Sequence, residues 1–419
     1  MKQEQILKNY EYAKAVYKSF GVDTDAALKE LDAIPVSLHC WQGDDVKGFE
    51  GINIESQNVV TGNYPGAARN GGELRADIEE AFKLSPLKHK VNLHSVYAER
   101  RNPRNDLNID DFKNWTDWAA PKGLGLDFNA SFFAHPMMKD GMSLASPDKT
   151  VRDFWIKAGR DAREISAAMG KLTGQKCYHN IWIPDGLKDI PANRFKYREY
   201  LTDSLDKIFA KKYTAEEKKC AADVLEGKLF GIGTECFVVG SHEYYLGYAV
   251  KNGNCGVCMD TGHYHPTESI VDKISAIRPF VSDILLHLSR GVRWDSDHVL
   301  LQCDDLNAVM SEIRRGGLYG KIAIGLDYFD ASINRVAAWA IGLRAAAKAI
   351  LASLLEPTKQ LFAAEEAGDF TARLMFSEEY KNLPQNAVWE YLLLKKGVAS
   401  GAEAVAQVKE YEKRVLALR

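Results

Sequence analysis

The chain has 419 residues, 46% hydrophobic and 26% charged, with a net charge of −3. Those values exclude disorder, collagen-like repeats and low complexity, and they offer no basic surface to nucleic acid or anionic membranes. Seven scattered cysteines make an odd number and no disulfide framework, so a reducing, cytoplasmic setting is expected.

In chain order, residues 3–19 carry apolar side chains at helical spacing (Ile6, Tyr10, Ala13, Val16, Tyr17) and stop at Gly21. This segment lacks the apolar core of a signal peptide. Eight short apolar runs follow, at 35–41, 90–97, 123–129, 177–185, 223–233, 255–263, 283–289 and 321–329. Each is rich in Ile, Leu and Val with little alternation, the texture of strands buried on both faces. Helices are expected between them, for example over 73–84, 150–169, 194–211 and 267–280. Eight such units over 35–330, about 37 residues each, suit an α/β fold of the (β/α)8 TIM-barrel type better than an open sheet. Residues 332–419 hold no convincing strand and read as helices over 332–355, 360–367, 378–391 (interrupted at Pro384) and 403–417. The expected organisation is a helical segment 1–34, a barrel 35–331 and a helical extension 332–419 acting as an oligomerisation arm. The most apolar stretch, 337–355, is broken by Arg344 and Lys348, so no membrane partner is expected.

Two connections are unusual. Residues 42–72 are glycine-rich and polar, and a structureless link of that length is expected only as a functional lid. Residues 98–110 (AERRNPRNDLNID) read as a solvated surface turn.

In a barrel of this kind, function sits at the C-terminal ends of the strands. Glu226 and Lys228 lie two apart, which places both on one side of an extended segment. Asp260 and His263 close the sixth run, His287 lies in the seventh, Asp295 and Asp297 follow it, and Asp327 ends the eighth. Five carboxylates and two imidazoles would therefore converge on one rim from four consecutive strands. Carboxylates that close must protonate or bind cations. An oxygen-dominated set with two imidazoles suits Mn²⁺, Mg²⁺ or Co²⁺, and two divalent ions nearly balance its charge.

Each element has a plainer reading. Glu226 and Lys228 could form an ion pair, the Asp-x-Asp a solvated loop, and His287 a core histidine. Jointly, at strand ends, they favour metal. Asp330 reads as the N-cap of a helix beginning near Ser332, and His265 as a cap or a partner behind the ligands. Cys255 and Cys258 read as buried thiols rather than a zinc or redox pair. The glycines of GIGTECFVVG lack the setting of a nucleotide fingerprint.

The blocks LHCWQGDDVKGFE, TGNYPG, NLHSVY, GLGLDFN, NIWIPDGLKD, LEGKLFGIG, MDTGHYHPTE, RWDSDHV and IGLDYFDASINR resemble the L-rhamnose isomerase family of xylose-isomerase-like TIM barrels. The likeness runs from about residue 31 into the C-terminal helices. It implies an aldose–ketose isomerase of L-rhamnose catabolism, interconverting L-rhamnose and L-rhamnulose by a hydride shift between C2 and C1. Two divalent metals assist, typically Mn²⁺, with Co²⁺, Mg²⁺ or Zn²⁺ as substitutes. By the same resemblance Glu226, Asp260, His287 and Asp327 hold one metal, and His263, Asp295 and Asp297 hold the second with its water. Lys228 would face the oxygen of C1, and His94 the sugar near its ring oxygen or C1 hydroxyl. Trp41, Phe133 and Trp182 would wall the pocket, core packing being their plainer reading. A homotetramer is also implied. The rivals are an isomerase or epimerase of the same barrel group on another aldose, a metal-dependent phosphodiesterase, and a non-enzymic sugar-binding barrel. The net charge disfavours the phosphodiesterase, and a lysine among seven ligands disfavours the binding barrel.

Overall fold

The computed structural model describes residues 3–51, 62–99, 102–229, 236–265, 267–292 and 294–419, without the side chains of 294–296. Among the described residues, eight parallel strands close into a barrel, each overlapping one of the eight apolar runs. They are β1 (Pro35–His39), β2 (Lys88–His94), β3 (Gly125–Asn129), β4 (Cys177–Ile181), β5 (Ala221–Glu226), β6 (Gly256–Asp260), β7 (Ile284–Leu288) and β8 (Ile322–Leu326). Neighbours follow chain order around the ring, and β8 pairs with β1. The register sets Ser37 beside Gly325, Gly325 beside His287, and His287 beside Asp260. Most strand positions are buried on both faces, which explains why the runs lack alternation.

Outside the ring lie helices that include Gly71–Lys83, Lys149–Thr173, Arg194–Ile208, His242–Asn252, Ile270–Ile277, Asp304–Arg315 and Arg335–Leu354. The last of these packs on Asp304–Arg315, on Gly71–Lys83 and on β1, closing the outer layer. Its length and composition would suit a membrane span, yet most of it is packed inside the protein. Its N-cap is Asn334, whose side chain accepts from the backbone N–H of Ala337 at 3.0 Å, and not Asp330 as expected. Asp330 instead accepts from the backbone N–H of Ser332 at 2.7 Å and braces the turn before the helix.

Within the helical segment expected over 1–34 there is a second helix, Thr24–Leu31, capped by Asp23; Phe370–Glu379, capped by Asp369, was not anticipated. The interruption expected at Pro384 within 378–391 is present. One helix ends at Glu379 and another runs over Gln385–Lys396, because Pro384 lacks the N–H that a continuous helix needs. The N-terminal helix Gln3–Ser19 packs on Gln385–Lys396, with Tyr10 stacked on Tyr391 at 3.7 Å.

The 42–72 connection departs from the expected structureless lid. Residues 52–61 lie outside the described ones, and the remainder is fixed in place. Arg335 forks onto both carboxylate oxygens of Asp45 at 2.8 Å and donates to the Tyr64 carbonyl at 2.7 Å. The Tyr64 N–H donates to the Ala331 carbonyl at 2.7 Å, and that of Phe49 to the Val96 carbonyl at 2.7 Å. Gly62 has φ +120, and a Cβ there would stand 2.4 Å from the Ala331 backbone, so only glycine fits. The chain's last turns hold the same region. The Tyr411 hydroxyl and the Arg419 guanidinium both donate to Asp77 at 2.6 Å, and the Tyr64 hydroxyl donates to Glu412 at 2.6 Å.

Residues 98–110 are likewise more than a surface turn. Arg104 is buried; it donates to the carbonyls of Ser131 and Phe133 at 2.6 and 2.5 Å, and to Glu50. Replacing Arg335 with alanine would take this donor from the carbonyls of Tyr64 and Pro65 and leave Asp45 only the more exposed Lys47, 3.7 Å away. We expect it to lower unfolding stability in urea by about 3–5 kcal/mol, the usual cost of breaking a buried pair from one side.

Candidate metal centre

The barrel delivers one polar side chain from each of its last four strands to one rim. Glu226 ends β5, Asp260 ends β6, His287 lies on β7, and Asp327 follows β8. One ligand atom from each of these four falls within 4.8 Å of the others, and Asp260, His263 and Asp297 form a second such group. Asp260 belongs to both. The His287 Nδ1 lies 3.0 Å from Asp327, 3.5 Å from Glu226 and 3.9 Å from Asp260. The His263 Nε2 lies 3.6 Å from Asp297 and 3.8 Å from Asp260. Asp297 sits at φ +38, in the left-handed region, a strain of about 1–3 kcal/mol that is characteristic of functional positions. The side chain of Asp295 lies outside the described residues.

Hydrogen bonds aim these carboxylates. Asp260 Oδ1 accepts from the Ser289 hydroxyl and the Gly262 N–H, both at 2.7 Å, which leaves Oδ2 to face the cluster. The Asn180 amide donates to Glu226 Oε2. Buried Glu226 Oε1, Asp260 Oδ2 and His287 Nδ1 have no hydrogen-bond partner among the described residues. Carboxylate oxygens and an imidazole nitrogen converging on one point fit a hard divalent ion. Asn180 and Ser289 were not anticipated, because a single Asn or Ser at a strand end carries no motif.

Charge is balanced inside the cluster. Burial raises the Asp260 carboxyl; His263 opposes this, but Asp297, Asp327 and Glu226 add to it, and it stays well above the usual range. Burial also pushes Glu226 upward, yet His287 and His263 outweigh it and hold its pKa down to about 2. For His263 burial acts downward, and Asp260, Asp297 and Glu226 carry it up to about 10. Burial lowers His287 as well, but Cys258, Glu226 and Asp327 raise it well above the ordinary range, so both imidazoles favour the protonated form that an entering cation must displace.

The first four strands supply the facing wall. Trp41 follows β1, His94 ends β2, Phe133 follows β3 and Trp182 follows β4. Their rings form a ribbon, with centroids 4.2 Å apart for Trp41–His94, then 5.6 Å for His94–Phe133 and for Phe133–Trp182. The Lys228 ammonium continues it, 5.1 Å from the Trp182 ring centre. Burial drops the His94 pKa to about 3, so its imidazole is neutral near pH 7. Arg104, on the segment expected to be a plain surface turn, holds the Phe133 carbonyl and so fixes one panel of this wall. His265 shares a hydrogen bond with Thr267 at 2.7 Å in a local turn. Cys258 points inward one step below Asp260, and its Sγ lies within 4.8 Å of ligand atoms of Glu226 and His287. That thiol is buried as expected, but it packs beneath the cluster rather than in purely apolar surroundings.

A family model described as L-rhamnose isomerase (RhaA) matches residues 4–419. The chain belongs to the L-rhamnose isomerase family. A relative from Rhodopirellula baltica, named L-rhamnose isomerase, is 50% identical over 418 residues, covering 99% of this chain and 97% of its own. One of the same name from Listeria innocua is 47% identical over 421 residues, covering 100% and 99%. Another, from Shigella flexneri, is 48% identical over 419 residues, covering 99% of each. As a metal-dependent isomerase family would require, both ligand groups lie at one barrel mouth. Adding Mn²⁺ to the metal-stripped chain in weak buffer at pH 7 is expected to release protons from His263 and His287. A pH electrode would record acidification, smaller for Glu226→Gln; no proton release would contradict the charge balance described above.

Proposed function

We propose that the protein interconverts L-rhamnose and L-rhamnulose in L-rhamnose catabolism, by a hydride shift between C2 and C1 assisted by two divalent metals. The observation that carries this reading is the sharing of Asp260 by two ligand groups opposite an aromatic wall, in a chain of this family. Glu226, Asp260, His287 and Asp327 would hold one ion; His263, Asp295 and Asp297 the other. Mn²⁺ is the expected metal, with Co²⁺, Mg²⁺ or Zn²⁺ as substitutes. When bound, such ions polarise neighbouring sugar oxygens as charge develops.

The chain's own residues do the rest. The Lys228 ammonium stabilises negative charge on the oxygen of C1. The neutral His94 hydrogen-bonds the sugar near its ring oxygen or C1 hydroxyl, and Asp297 with Asp295 handles the proton that moves between O2 and O1. Trp41, Phe133 and Trp182 exclude water and receive the C6 methyl. A general-base enediol route would need a group poised near neutrality beside C2. Two ligand groups side by side, able to polarise both reacting oxygens, support the hydride route. The exposed Phe370, Leu374 and Met375 on the helix Phe370–Glu379 support the proposal that the C-terminal helices form an arm in a homotetramer. We also place the enzyme in the cytoplasm, acting without nucleic-acid or membrane partners.

Incubation with L-rhamnose and Mn²⁺ is expected to yield ketose, and EDTA to abolish it. A kcat/KM higher for L-rhamnose than for L-mannose is also expected, since one buried methyl contributes about 1–3 kcal/mol. Equal values would favour the second reading, an isomerase of the same barrel group with another preferred aldose. Running the reaction in D₂O separates the mechanisms. The product should carry almost no deuterium at C1, and substantial incorporation would rule out the hydride shift.

A further inference from the structure

The ring of His287 has two edges, and only one of them faces the carboxylates of the proposed metal site. Nδ1 faces Asp327, Glu226 and Asp260. The opposite edge faces β8 and β1. Ser37, Gly325 and His287 lie abreast on β1, β8 and β7. A Cβ placed on Gly325 would stand 3.4 Å from His287 Cδ2 and 3.6 Å from Ser37 Cβ. A methyl group on Gly325 would therefore touch both the serine and the imidazole. Both His287 Nε2 and Ser37 Oγ are buried and have no hydrogen-bond partner among the described residues.

An imidazole that meets a cation through Nδ1 carries its proton on Nε2, and that N–H ordinarily donates to a carboxylate, a carbonyl or a water. Gly325, which has no side chain, stands between Ser37 and His287 in the register, so the link we infer between them runs through a water. Other unpartnered buried atoms lie on the same inward faces of neighbouring strands: both nitrogens of His39, Asn92 Oδ1 and Asn180 Oδ1. Buried polar groups that lack a protein partner are commonly joined by ordered water. The Cys258 thiol is the competing neighbour of His287, but thiol sulfur is a weak acceptor.

We propose that Ser37 is a positioning residue for the metal centre. Through one water held in the space beside Gly325, it accepts from His287 Nε2–H and fixes the tautomer and ring orientation that present Nδ1 to the metal. The inference rests on the two-metal reading. A glycine in a central strand, otherwise a weak strand residue, is then explained by the water it admits.

Gly325→Ala is a clean probe. Its methyl meets its neighbours at ordinary contact distance, and Gly325 does not occupy the left-handed region that disfavours other residues. The full chain would be stripped of metal and titrated with Mn²⁺ by calorimetry, with the thermal midpoint of the metal-free form followed in parallel. Gly325→Ala and Ser37→Ala are each expected to weaken Mn²⁺ binding by about 10–100-fold, as for lost partners behind a ligand. Ser37→Thr, which keeps the hydroxyl, should restore most of the affinity, and the metal-free midpoint of Gly325→Ala should not fall. Wild-type affinity in both alanine variants would overturn the inference while leaving the metal reading intact. A loss confined to Cys258→Ala would also overturn it, by giving the role to the thiol. Failure of the wild type to bind Mn²⁺ would remove the metal reading and this inference together.

Discussion

Carboxylates crowded at one end of an apolar barrel repel one another, and the rest of the structure follows from holding them there. At an effective dielectric of about 20, two unit charges 4 Å apart repel by about 4 kcal/mol. Asp260 feels this from Glu226, Asp297 and Asp327 together. The surroundings answer with placed donors, namely Ser289 and Gly262 on Asp260, Asn180 on Glu226, and two imidazoles between the carboxylates. A closed ring of parallel strands suits the task. No strand has a free edge, so the spacing of the ligands is fixed by backbone pairing on both sides of each one.

A second set of contacts ties the connections around the barrel mouth to that ring. Arg335 joins the start of the last barrel helix to Asp45 and Tyr64. Arg104 joins the segment after β2 to the carbonyls after β3. Tyr411 and Arg419 fasten the end of the chain to Asp77. In each case a long polar side chain satisfies backbone carbonyls or a carboxylate that would otherwise be buried without a partner. Order in these connections is thus supplied by side chains, since they have no ladder of backbone bonds to supply it.

The same physics decides what could be read from the chain. The eight strands were legible because burial on both faces leaves uninterrupted Ile, Leu and Val. The ligand residues were legible because acids and histidines are rare at the ends of such runs. Arg104 was not: in AERRNPRNDLNID a buried arginine looks like its solvated neighbours, and only its carbonyl partners, distant in sequence, set it apart. Asn180 and Ser289 were invisible for a similar reason, since each acts through a single hydrogen bond. Thr24–Leu31 and Phe370–Glu379 are short helices whose apolar faces are too brief to establish a period. The glycine-rich texture of 42–72 suggested slack, whereas Gly62 is there to let the chain pass against Ala331.

The sequential order of the strands separates two tasks around the ring. Residues proposed to shape the sugar's surroundings follow β1 to β4, and those proposed to hold metal come from β5 to β8 and the turns after them. Under that reading, the two halves of the gene have different freedom to vary. Changes near Trp41, Phe133 or Trp182 can remodel which aldose is preferred while the ion-binding half is inherited unchanged. A library aimed at new sugars can therefore be confined to the first 185 or so codons, with Lys228 as the single reaching residue from the other side.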